Sequence, residues 1–137
     1  MSLFPKEWPF LNEAWKFALV LTGREAAATA LVAQALAAVS KRSDLHETGR
    51  TKRIFFSILC REGAKSPVMD NPETPAERTV FFLHKLPEPS RQAISLLYLG
   101  AFSGEHLAAI LHQSEAELAR SLDDARSRLR PHFPTKS

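Results

Sequence analysis

The sequence holds a single cysteine, Cys60, among 137 residues. No internal disulfide can form, and a lone thiol supplies neither a metal site nor a redox pair. The ordinary place for such a residue is a small buried apolar position. Glycine is scarce, with five residues, and no Gly-rich phosphate loop is present. β-Branched residues are sparse and scattered while alanine, leucine and arginine dominate, which argues against sheets and for helices. The expected fold class is all-α. Long apolar runs are missing as well: the longest stretch free of charge and proline is the 15 residues of 26–40, broken by Thr29 and Gln34, and a membrane span needs about 20. The N-terminus has no basic start before an apolar run. No membrane partner is expected, and the chain reads as cytoplasmic.

Catalytic constellations are equally hard to find. The histidines His46, His84, His106, His112 and His132 make no HExxH pair and no close ligand spacing. The carboxylates are spread along amphipathic faces, as solvated charge is. Trp8 and Trp15 are seven residues apart, a spacing that suits core packing better than a platform for stacking bases. Neither an enzyme nor a cofactor or metal site is expected.

What is present is enough apolar material for a core, 45% of residues, and a net charge of +3 that is unevenly placed. Residues 1–40 balance, 41–65 carry seven basic and three acidic side chains, and 66–90 carry two and four. The basic patch is Lys41, Arg42, Arg50, Lys52 and Arg53, within "KRSDLHETGRTKRIFFSILCREGAK". Such a cluster can meet phosphates or an acidic protein surface, or be a solvated loop with its flanking helix ends.

The stretch "SPVMDNPETPAE", residues 66–77, has three prolines and little hydrophobic periodicity, and so reads as a linker. It separates a helical module over 1–65 from a second over 78–137. In the first, Phe10, Leu11, Ala14, Trp15 and Ala18 fall at helical spacing. Thr22 and Glu25 suggest a capping box for an alanine-rich helix over 24–39. A third helix places Ile54, Phe55, Ile58 and Leu59 inward and ends near Gly63. In the second module a short helix over 79–86 stops at Pro87, and another from Pro89 to Gly100 carries Ala93, Ile94, Leu97 and Tyr98 as its apolar stripe. Ser103 then caps "GEHLAAILH", and Ser114 with Glu117 forms a capping box for the helix that follows. Two helices separated by about three residues have a helix-turn-helix layout. In the last helix Leu118, Leu122, Ala125 and Leu129 make the buried face and turn Glu117, Arg120, Asp124 and Arg128 away from it.

The segment "LHKLPEPSRQAISLLYLGAFSGEHLAAILHQSEAELARSLDDARSRLR" resembles region 4 of bacterial sigma factors of the extracytoplasmic-function group. The resemblance is carried by Leu86, Pro87, Arg91, Ile94, Leu97, Tyr98, Gly100, Phe102, Ser103, Glu105, Leu107, Ala108 and Leu111, then Ser114, Leu118, Leu122, Ala125, Arg126 and Leu129. "LTGREAAATALVAQALAAV" and "RTKRIFFSILCRE" look like two helices of region 2, with Ala30, Ala33 and Ile54 where the family carries an acidic residue, a glutamine and a tryptophan. The family's basic promoter-reading helix would continue past Arg61, where this chain has Gly63 and Pro67.

The resemblance implies a protein that binds RNA polymerase core and promoter DNA, with Ser114, Glu117, Arg120, Ser121, Arg126 and Arg128 as candidate DNA-binding residues. The family usually carries Lys or Arg at positions aligned with Ala119, Ser121 and Asp124, which position the helix on phosphates. Asp123 and Asp124 would repel a phosphate, by about 4 kcal/mol for like charges about 4 Å apart at an effective dielectric near 20. A second reading follows: a sigma mimic that no longer reads DNA and binds an anti-sigma factor or another regulatory protein.

Overall fold

A computed structural model of the chain describes residues 10–41, 48–100 and 102–132. It is all-α. Seven helices occur among the described residues: α1 (Leu11–Thr22), α2 (Glu25–Ser40), α3 (Thr48–Gly63), α4 (Pro75–His84), α5 (Ser90–Leu99), α6 (Gly104–Leu111) and α7 (Glu115–Leu129), with a 3-10 turn at Arg130–His132. None of them is long and apolar enough to cross a membrane.

One hydrophobic cluster runs through both halves of the chain. It takes Phe17, Leu21, Ala28, Val32, Phe55, Phe56 and Leu59 from α1–α3 and Ala93, Leu96, Phe102, Leu107 and Leu118 from α5 onward. Helix α1 packs on α2, α3, α4 and α5, and α3 packs on α6. The Phe56 ring lies 5.2 Å from Phe102 at 82°, the edge-to-face geometry that the ring quadrupole favours, and 5.6 Å from Phe17 at a tilt of 41°. A smaller cluster of Leu86, Ile94 and Ala125 joins α5 to α7.

The corner between α1 and α2 departs from the sequence expectation. Thr22 and Glu25 form no capping box: Thr22 is the last residue of α1, and its hydroxyl donates to the Ala18 carbonyl at 2.9 Å. Gly23, at φ +74°, makes the turn. The helix ends at this corner are satisfied from elsewhere in the chain. His84 Nδ1 meets the Val20 carbonyl at 2.7 Å, and Arg91 Nη1 donates to the Leu21 carbonyl at 3.2 Å. Opposite them, Glu77 Oε2 accepts from the first amide of α2, Glu25 N–H, at 2.9 Å. A cation thus sits at the C-terminus of one helix and an anion at the N-terminus of the next, as both helix dipoles favour.

Residues 66–74, within the expected linker, are non-helical and held down over this corner. Met69 N–H donates to His84 Nε2 at 2.8 Å, Lys85 pairs with Asp70 at 2.7 Å, and the Arg24 guanidinium donates to the Asn71 carbonyl. Helix α4 starts at Pro75 and ends at His84, in place of the expected 79–86. Thr74 and Glu77 form a full capping box with Pro75 at the first helical position, a start signal concealed among the prolines.

Glu77 is buried yet accepts from the amides of Glu25, Glu73 and Thr74 and from Arg24 Nη1. These donors, led by the Glu25 amide, lower its pKa from 4.5 to about 2. Burial chiefly lowers the His84 pKa below its ordinary 6.5, and with Met69 N–H donating to Nε2 the ring is neutral, its Nδ1–H given to Val20.

Two consequences are measurable. Between pH 4.5 and about 2 the unfolded chain binds a proton at Glu77 that the folded chain does not, so stability falls as pH drops through that window. His84 acts in the same direction below pH 6.5. Acid denaturation followed by circular dichroism should show a Glu77→Gln variant less stable at neutral pH, with a shallower decline in the acid range; an unchanged acid limb would contradict the assignment. Gly23→Ala must place a Cβ 2.7 Å from His84 Nε2 at a left-handed φ of +74°. It should cost about 2 kcal/mol or more in urea denaturation.

Candidate nucleic-acid interface

Helices α6 and α7 are joined by His112, Gln113 and Ser114. The Ser103 hydroxyl accepts from His106 N–H at 3.4 Å to start α6, and His112 ends it in the left-handed region at φ 55°. Ser114 and Glu117 form the expected capping box: Glu117 N–H donates to the Ser114 hydroxyl at 3.1 Å, and Ser114 N–H donates to the Glu117 carboxylate at 3.0 Å. The Ser114 amide donating to it, and after that the Ser114 side chain, hold the Glu117 carboxyl below its ordinary value. Leu107, Ile110, Leu118 and Ala125 are buried, which docks the pair on the body of the protein.

The six candidate DNA-binding residues do not gather on one face. Arg120 is exposed on the outer surface of α7. Ser114 and Glu117, beside it, are already committed to each other. Ser121 is buried; its hydroxyl donates to the Glu117 carbonyl at 3.1 Å and accepts from Gln113 Nε2 at 3.2 Å. Arg128 is exposed, but its Nε donates to Asp124 at 2.9 Å. Arg126 lies farther round the helix, on the rim of a groove between α4, α5 and α7.

Asp124, expected to point outward, is half-buried and turned toward α5, where the Ser90 hydroxyl donates to it at 2.6 Å. That bond and the one from Arg128 hold its carboxyl below the ordinary carboxylate range. The acidic groups left on the outer face of α7 are Glu115, Glu117 and Asp123.

The basic patch lies elsewhere. Lys41 caps the end of α2, and Arg42 is outside the described residues. Arg50 and Arg53, on α3, line a shallow groove of about 260 Å³ with Ile54, Ser57, and Ala109 and Ile110 of α6. Lys52 Nζ sits 4.6 Å from the centre of the Phe102 ring, a cation–π contact. Cationic side chains more than fifty residues away in sequence are therefore brought beside α6. No local pattern could reveal that, because only the α3–α6 packing creates it.

Burial pushes the Cys60 thiol pKa well above its ordinary value, so the sulfur stays protonated as an apolar side chain. Among the described residues no three His, Cys, Asp or Glu side chains gather in a way that could hold a metal.

The inward position of Ser121 is open to test by urea denaturation. Ser121→Lys should cost about 2 kcal/mol or more, since it forces an ammonium into a 7% exposed site. Arg120→Ala should stay within about 0.5 kcal/mol.

No family model matches the chain, and neither curated proteins nor solved structures yield a match to it.

Proposed function

We propose that the chain is a sigma-factor-like protein of bacterial transcription initiation and its regulation, acting through RNA polymerase and promoter DNA with no chemistry of its own. The supporting observation is the α6–α7 pair. It has a serine cap, a left-handed turn residue and a Ser–Glu capping box within the segment whose sequence resembles sigma region 4, and it is seated on α5. In a helix-turn-helix the N-terminal residues of the second helix approach base edges while the first crosses the backbone. In this reading α7 would be the second helix, and Arg50 and Arg53 beside α6 would supply phosphate contacts.

A second reading is favoured by one feature. The stretch of α7 from Glu115 to Asp123 exposes Glu115, Glu117 and Asp123 around the single cation Arg120, a surface that phosphate disfavours and a basic protein surface attracts. A sigma mimic that binds an anti-sigma factor or another regulator fits this charge.

Affinity capture of the tagged chain from a bacterial extract, paired with fluorescence anisotropy on a promoter-type duplex at low salt, separates the two. Polymerase core subunits together with DNA binding would favour the first reading. Arg120→Ala should then weaken DNA binding by about 1–3 kcal/mol if Arg120 contacts a base. A helical regulatory partner without polymerase, and no DNA binding, would favour the second. In that case Glu115→Arg with Asp123→Arg should create salt-dependent DNA binding. These two positions are the ones to reverse, because Asp124 and Glu117 are engaged in holding the fold.

A further inference from the structure

The groove between α4, α5 and α7 has a volume of about 600 Å³, within the range of about 300–1,000 Å³ that small-molecule sites occupy. Its walls are Phe82 and Leu83 of α4, Ile94 and Leu99 of α5, and Leu129 of α7. Two features set it apart from a gap between helices. Ser95, 1% exposed, lines the groove, and its hydroxyl has no hydrogen-bond partner among the described residues. A serine inside a helix ordinarily returns its proton to the carbonyl one turn back, as Ser57 and Ser121 do here. An unpaired buried hydroxyl costs about 1–3 kcal/mol unless something meets it.

The second feature is charge. Arg126 and Arg130 line the same groove, and neither guanidinium makes an ion pair or hydrogen bond among the described residues. Arg128, between them in sequence, is neutralised by Asp124. The free cations of the α7 C-terminus therefore border an apolar trough, and Tyr98, 68% exposed, stands with them on its lining.

We propose that this groove binds an amphipathic carboxylate, an aliphatic chain with an anionic head. The chain would lie along Phe82, Leu83, Ile94, Leu99 and Leu129, and the head would be met by Arg126 and Arg130. Burying the tail removes apolar area from water, and a carboxylate matches the planar donor fork of arginine. The unpaired Ser95 hydroxyl in the groove wall would donate to a ligand oxygen. This site is separate from the outer face of α7 and from the α3–α6 basic groove, so the proposal stands whether or not the chain binds DNA.

The test is calorimetric titration of the full chain with sodium dodecanoate, and with dodecyltrimethylammonium as the same tail bearing the opposite charge. Saturable one-to-one binding of dodecanoate is expected, with the cation at least about tenfold weaker. Backbone amide shifts in nuclear magnetic resonance spectra should change at Leu83, Ser95, Leu99 and Leu129. The double variant Arg126→Glu with Arg130→Glu should lose about tenfold or more in affinity, its circular dichroism unchanged; Ser95→Ala, which keeps the helix, should give a smaller loss. Absence of saturation below about 1 mM would overturn the proposal. So would equal affinity for the two surfactants, or undiminished binding by the double variant.

Discussion

The α1–α2 corner has buried helix ends that nothing local can satisfy. Val20 and Leu21 are fully enclosed, so carbonyls left bare there would lose their hydrogen bonds to water without replacement. His84 and Arg91 supply what is missing, and Glu77 does the same for the amide that opens α2. All three partners belong to α4 or α5, which fixes those two helices against α1. Arg91 is itself held by Glu88 at 2.9 Å and by the His84 carbonyl at 3.2 Å. The second half of the chain is thereby oriented by polar bonds, while the phenylalanines supply adhesion that is strong but less directional.

From that corner, position is handed outward in steps. Helix α5 carries Ser90, Ser90 holds Asp124, and Asp124 holds α7 and Arg128. A residue that looks in sequence like a misplaced surface charge is instead a structural link between two helices. The charge of α7 divides accordingly. Its acids near the N-terminus face outward around Arg120, its middle is used in packing, and Arg126, with Arg130 just past its end, flanks a trough on the other side. One helix thus offers two chemically different surfaces, a polar acidic one and an apolar one rimmed with positive charge.

Local signals were legible where cap and stripe agree. The caps at Ser103 and Ser114, the stop at Gly100 and the inward face of Leu118 and Ala125 all appear as the spacing suggests, because each depends on residues within one or two turns. The start of α4 was hidden by the prolines, although Thr74, Pro75 and Glu77 spell a cap by themselves. Thr22 and Glu25 offered the same spacing at another place, yet the buried carboxylate of Glu77 takes the amide that Thr22 would have served. Of the interface, the turn was legible and the grouping was not. The inward turn of Ser121 and the placing of Arg53 and Ala109 on one groove depend on how α3, α6 and α7 cross, which no periodicity encodes.

The corner also bears on the order in which the chain can assemble. Its closing bonds join residues 64 and 70 positions apart, a separation more typical of β proteins than of helical bundles, where most contacts are between neighbours. During synthesis, α1, α2 and α3 emerge with their central joint still open, and it closes only after Arg91 has left the ribosome. Until then the phenylalanines of α1 and α3 lack Phe102 and Leu107 above them. The nascent first half thus exposes apolar surface of the kind chaperones shield, and that exposure ends once α5 and α6 have emerged and packed.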